Sequence, residues 1–494
     1  MGTLKQSRTV LCTAILVKLA LQFLLVLPVY ELHRDEFLHI DQGKHLAWGY
    51  VSVPPLTSWT SWIVLQFGAS EFLVRLIPAL WGVLTLIVVY RTVRLLGGGT
   101  YAVALALACT VFSALMRLNM LYQPNSADIF FWTMLLYLMI AYQKTLKNRY
   151  LYIAAISFAV AVLNKYNIAF LAAGLAVGIL LTGARRILAN KHFYISACLA
   201  LAVLLPHLWW QDQNGFPVFS HMAELRETQL NNVDRADFLF EQLLFFAGAL
   251  WIIAAGWWFL MRMREYRFVG IAFVATLSLF LLMRAKGYYA IGLYPAIIAV
   301  GAVWFSRFEN LWLRAALVAV PVVLFGLTAD IAFPLRSPEY IAANPDNYNS
   351  LGLLRWEDGQ EHALPQDFAD MLGWRELAGH VDLEARKLAG KTLVLCDNYG
   401  QAGAINFYAP GLDAVSFNAD YANWFPKGKI DNVILVREAG NTDLITERAL
   451  FAKIRGGLKI EKPNAREFGT QVIVLEEPRI DIAQRIQSDR ESRR

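Results

Sequence analysis

Six acids and bases fall between Glu31 and His39, directly after the first long apolar segment: Glu31, His33, Arg34, Asp35, Glu36 and His39. Other charges stand at the ends of later apolar segments: Arg117, Asp128, Lys165, Glu224 with Arg226, and Arg284 with Lys286 beside Tyr288 and Tyr289. Ionisable groups at membrane depth are costly unless paired or facing a wet cavity. Singly, each reads as an interfacial anchor or part of a solvated loop. Gathered at one face, they suit an anionic, lipid-attached substrate. A carboxylate there can act as general base toward an attacking hydroxyl or amine. Fixed cations can stabilise the charge developing on a departing phosphate. Asp35 suits the first role, and Lys286 and Lys165, with Arg284, the second.

These residues are positioned by a chain of 494 residues that is 57% hydrophobic and only 17% charged, with a mean hydropathy of +0.42. Soluble domains carry roughly a quarter charged residues. Apolar runs recur to about residue 333 and then stop, so the composition implies a polytopic helical membrane protein with a soluble C-terminal part. Segments near the ~20 residues a spanning helix needs lie at about 9–29, 72–92, 100–118, 128–143, 150–165, 167–183, 193–210, 239–261, 268–283, 289–305 and 312–332, about eleven spans. With the N-terminus inside, every inner loop is basic: Arg91 and Arg94; Lys144, Lys147 and Arg149; Arg185, Arg186 and Lys191; Arg262, Arg264 and Arg267; Arg307 and Arg314. That is the pattern which sets membrane orientation, and it accounts for the net charge of +6 without nucleic acid. An odd number of spans puts the 30–71 loop, the 211–238 loop and residues 334–494 outside. Lys18, within the first span, reads as reaching toward the inner face.

Residues 36–48 suit an interfacial helix with Phe37, Ile40 and Trp48 toward lipid, and 211–238 suits a second. Domain limits fall at 1–333 for the membrane part, 334–390 for a proline-bearing connector and 391–494 for a small α/β domain. In that domain Lys391–Asp397, Asn432–Val436 and Thr470–Leu475 read as strands, and Tyr399–Tyr408 as a helix. The four cysteines suggest no pairing, and His33, His39 and His45 lack the convergent ligands of a metal site. No metal or cofactor is assigned. The alternative for Asp35, Glu36 and Asp128 is a shared divalent cation, Mg or Mn.

Several short motifs, in order, resemble the membrane glycosyltransferases of the protein mannosyltransferase and aminoarabinose transferase superfamily. They are Arg34-Asp35-Glu36; His45-Leu-Ala-Trp-Gly-Tyr50; Pro54-Pro55-Leu56; Leu121-Tyr-Gln-Pro-Asn-Ser-Ala-Asp128; Leu163-Asn-Lys165-Tyr-Asn167; and Ala285-Lys286-Gly-Tyr-Tyr289 followed by Leu293-Tyr-Pro295. Asn398-Tyr-Gly-Gln-Ala-Gly-Ala-Ile-Asn-Phe-Tyr408 extends the likeness less specifically. The resemblance implies the GT-C fold and transfer of a sugar from a polyprenyl-phosphate carrier to a lipid, polysaccharide or protein, at the outer face of a bacterial inner membrane, by a monomer. It places the first-loop acid on Asp35 with Glu36 beside it, and the second-loop acid on Asp128. Phosphate binding then falls to Lys165, Arg284, Lys286 and Tyr289, and substrate contacts to Arg34, His45, Glu224 and Tyr288. One departure stands out: aminoarabinose transferases usually carry a basic residue immediately before the paired prolines, and here that residue is Val53. The competing reading is a secondary transporter of a lipid-linked or anionic solute, although charges at one face without repeated halves do not fit that class well. A scaffold whose outer domain binds a partner is the third.

Overall fold

The computed structural model describes residues 2–228, 233–349, 352–441 and 443–492, excepting the side chains at 2–3, 224–225, 228 and 492. Helix dominates up to Ala332. Among the described residues five helices are long and apolar enough to cross a membrane: Leu4–Leu24, Glu71–Leu95, Lys191–Gln213, Gly287–Phe305 and Leu311–Ala332. The number reaches seven if the bent pairs Ile168–Leu180 with Gly183–Ala189, and Arg235–Phe245 with Ala247–Arg262, each count as one span. The remaining expected segments form shorter apolar helices such as Thr100–Val111, Arg149–Val162 and Arg267–Leu282, and the helix Pro124–Thr145.

The chain divides into two compact units. The first comprises Met1–Leu25, Ala47–Thr57 and Phe72–Phe333. Its centre is the helix Tyr294–Phe305, on which every residue from Tyr294 to Ala302 is buried. Small residues let backbones meet there, as is usual where lipid offers helices little hydrophobic reason to associate. A Cβ on Gly256 would lie 2.3 Å from the Ile297 carbonyl, and one on Gly301 would lie 2.0 Å from that of Ile252. Lys18 departs from the expectation above. It is only 3% exposed and donates to Gln22 Oε1 at 2.7 Å, while Gln22 donates to the Asn119 carbonyl. A local amide acceptor takes the ammonium inward instead of toward the membrane face.

The second unit comprises Val26–Leu46, Ser58–Glu71 and Pro334–Arg494. Its sheet has the order β2-β1-β3-β5-β4, with β1 Thr392–Cys396, β2 Ala414–Ser416, β3 Asn432–Arg437, β4 Phe451–Lys459 and β5 Gln471–Pro478. The strands β2, β1 and β3 are parallel, and β5 and β4 close the sheet antiparallel. The helix Tyr399–Tyr408 connects β1 to β2. Sequence composition set a boundary at 333, but residues 26–46 and 58–71 group with the C-terminal part. The reason is the helix Arg34–Lys44, which is buried from Glu36 to Gly43. Phe37 and Ile40, expected toward lipid, are 0% and 1% exposed. Phe37 packs against Trp374, Phe407 and Tyr408, a burial worth about 1.5–3 kcal/mol. The amphipathic stretch forms a helix that ends at Lys44 instead of reaching 48, and its apolar face is covered by protein.

Candidate functional site

In the second unit, the helix Arg34–Lys44 begins with a reciprocal cap. His33 Nδ1 accepts the Asp35 N–H at 3.2 Å, and Glu36 Oε2 accepts the His33 N–H at 2.7 Å. Two backbone donors that a helix start leaves unsatisfied are thereby used. The fully buried Glu36 thus has a structural duty, whatever it does beyond it. Asp35 points from the opening turn and receives the Tyr399 hydroxyl on Oδ1 at 2.6 Å. Arg34 Nε lies 3.7 Å from that oxygen and 3.4 Å from Asp370 Oδ2, with its guanidinium 5.5 Å from the Tyr399 ring centre. His33 Nε2 is 3.5 Å from Asp370, which Arg466 also meets at 3.3 Å.

Burial would raise the Asp35 carboxyl, but the charges of His33 and Arg34 and the Tyr399 hydrogen bond outweigh it and hold it at about 2. His33 cannot carry that charge and accept the Asp35 N–H at Nδ1 together, so Arg34 is the constant partner. Burial instead raises Asp370 above the usual carboxylate range, against the pull of His33, Arg34 and Arg466. Burial also lowers His39, whose Nδ1 meets Gln42 Oε1 at 3.1 Å. His45 stacks on Trp424 at 4.2 Å between ring centres.

In the first unit, Asp128 lies near the start of the helix Pro124–Thr145 and is buried. Its Oδ1 accepts Trp132 Nε1 at 3.0 Å, and its Oδ2 accepts Asn167 Nδ2 at 2.9 Å. Lys165 donates to Asn125 Oδ1 at 2.7 Å and lies 4.4 Å and 5.2 Å from the ring centres of Tyr289 and Tyr288. Among the described residues no carboxylate lies within ion-pair distance of that ammonium. The amide oxygen and the two aromatic faces both attract the cation, which also acts electrostatically on Asp128. The neighbouring loop is tied in by Leu56 N donating to the Leu163 carbonyl and Tyr122 Oη to that of Thr57, each at 2.8 Å. Gln211 donates to the Tyr166 hydroxyl, Tyr166 to His207 Nε2, and His207 Nδ1 to the Trp48 carbonyl.

The structure therefore brings Asp128, Lys165, Tyr288 and Tyr289 together in one unit, and Arg34, Asp35, Glu36 and His45 into the other. Lys286 precedes the turn Gly287–Leu293, where Gly287 lies against the Glu241 carboxylate. Arg284 is exposed, with a left-handed φ of 52°. The Glu224 side chain lies outside the described residues, on the helix Pro217–Thr228. Among the described residues no three His, Cys, Asp or Glu side chains gather in a way that would hold a metal ion. The reading from composition and motifs missed Asn125, Trp132 and Glu241 in the first unit and Asp370 and Tyr399 in the second. Asn125, Tyr399 and Asn167 did stand inside the quoted motifs, although none was given a role.

Residues 52–210 match the family model described as dolichyl-phosphate-mannose-protein mannosyltransferase. The lipid A galacturonosyltransferase RgtD of Rhizobium johnstonii is 24% identical over 246 residues, 47% of this chain. The chain spans about half the length of that curated relative, 49%. The crystal structure of ArnT from Cupriavidus metallidurans bound to undecaprenyl phosphate superposes with a TM-score of 0.64 at 15% identity, covering 94% of this chain and 97% of ArnT. The apo structure of the same protein gives 0.65 at 16% identity, covering 96% and 98%. The chain thus shares the ArnT fold over nearly its whole length, and residues 52–210 are similar in sequence to the mannosyltransferase family.

Proposed function

We propose that this protein transfers a sugar from a polyprenyl-phosphate-linked donor to a lipid acceptor at the outer face of the inner membrane. The observation that carries the reading is the near full-length likeness to a fold seen with undecaprenyl phosphate bound. The description of RgtD as a lipid A galacturonosyltransferase favours a lipid acceptor over a polysaccharide or protein. In this reading Asp35 takes the acceptor proton as the new glycosidic bond forms. The carrier phosphate leaves with the bonding electron pair, and Lys165 balances its charge, assisted by Lys286 and Arg284. Tyr288 and Tyr289, beside the Lys165 ammonium, line the phosphate's position, and Arg34, His45 and Glu224 contact substrate. Asp128, tied to Asn167 two residues after Lys165, sets that lysine's surroundings or contacts the sugar. The basic loops support an N-terminus inside and residues 334–494 outside.

Lipid mass spectrometry of cells with and without the gene tests the reading. Loss of one defined sugar from an envelope lipid is expected. Solute flux in proteoliposomes with no sugar transfer from any lipid-phosphate donor would replace it with the transporter.

A further inference from the structure

Two helices of the second unit run side by side in the same direction. Asp35, near the start of Arg34–Lys44, meets Tyr399 at the start of Tyr399–Tyr408. Asp41, near the end of the first, accepts Asn406 Nδ2 at 2.7 Å near the end of the second. Between these bonds lies Gly403, where a Cβ would stand 2.6 Å from the Phe37 Cβ. Positions 399, 403 and 406 share one helical face, so two polar bonds and one close approach fix the register. Farther along the chain, Tyr421 donates to Asp41 Oδ2 at 2.7 Å.

The two tyrosines are chemically alike but differ in what they hold. Tyr421 braces Asp41, whose other oxygen meets Lys44 at 2.7 Å. Tyr399 braces Asp35, 364 positions away in sequence. We propose that Tyr399 is a positioning residue for the Asp35 carboxylate, so that the α/β part of the chain completes the site. The inference rests on the reading of Asp35 as general base. A base on the opening turn of a helix turns about its own side-chain bonds, and one directed hydroxyl restricts that rotation. The other charged or titratable groups facing it are His33, Arg34 and His39 on its own segment, and Asp370, itself backed by Arg466, on the connector. The Tyr399 hydroxyl stands 2.6 Å from Asp35 Oδ1, nearer than the Arg34 Nε at 3.7 Å.

The test uses the full-length protein in detergent or liposomes, with a polyprenyl-phosphate sugar donor and extracted envelope lipid. Tyr399→Phe keeps the ring against Arg34 and removes only the hydroxyl. It is expected to lower kcat about tenfold, as loss of a hydrogen bond to a charged group does, with the donor KM unchanged. In an Asp35→Asn background the same change is expected to cost nothing more. Tyr421→Phe, which loses an equivalent bond from the same packing, is expected to leave kcat within about twofold. Unchanged kcat in Tyr399→Phe, or an equal fall in Tyr421→Phe, would overturn the proposal. Substantial turnover by Asp35→Asn alone would remove the general-base reading as well, and so separates that failure from this one.

Discussion

Asp128 and Asp35 both stand near the start of a helix, and distant side chains hold both, yet their partners differ in kind. Around Asp128 the donors are neutral, an indole N–H and an amide, and the nearest cation, Lys165, is itself held by an amide oxygen and two tyrosine rings. Around Asp35 the constant formal charge is Arg34, which also meets Asp370, itself paired with Arg466. In the first unit the ammonium is held by neutral groups and acts electrostatically on the neighbouring Asp128. In the second unit the charges balance one another and hold one carboxylate ionised. On the function proposed above, the first arrangement would bind a phosphate and the second would keep ionised the carboxylate that takes the acceptor proton.

The largest test of that assignment is Asp35→Asn. Removing a general base should lower kcat by about 10²–10⁴-fold, while donor binding and membrane insertion persist. Next is Lys165→Met, expected to raise the donor KM about tenfold or more through loss of a charge-assisted contact, with a smaller change in kcat. If Lys165→Met instead abolished kcat at unchanged KM, the two roles would have to be exchanged. Gly403→Ala should destabilise the second unit by about 1–3 kcal/mol, because its Cβ would meet Phe37. A drop in the thermal unfolding midpoint, with the helical first unit intact, would show it.

The smallest effect is on acid stability. Asp35 is held at about 2, below the usual 3.8, so its contribution is present above pH 4 and is lost as pH falls toward 2. Asp35→Asn should flatten that part of the stability curve. Asp370, raised by burial, works in the opposite sense: deprotonating it on the way up from acid costs stability. Asp370→Asn should reduce that cost, unless losing its contacts to Arg34 and Arg466 outweighs it.

Local pattern carried much of this. The apolar segments, the Val- and Leu-rich runs of β1, β3 and β5 and the helix after β1 follow from period and composition. The strand β4 did not announce itself. As an edge strand it carries Lys453, Arg455, Gly456 and Gly457, the polar and small residues that protect an edge and hide its alternation. Lys165, Tyr288 and Tyr289 were legible as an ionisable group and aromatics at the ends of apolar segments, and the structure sets Tyr288, Tyr289 and Asn125 about that ammonium.

By itself the sequence determined a membrane-embedded helical part, a following α/β part and the residue types available for phosphate and proton chemistry, since these depend on composition and near-neighbour spacing. Only tertiary structure decided that Phe37 and Ile40 face protein instead of lipid, that Lys18 turns inward to Gln22, and that Tyr399 closes on Asp35. Each of those depends on which surface packs against a helix face or a side chain, and periodicity reports the existence of an apolar or polar face without naming its partner.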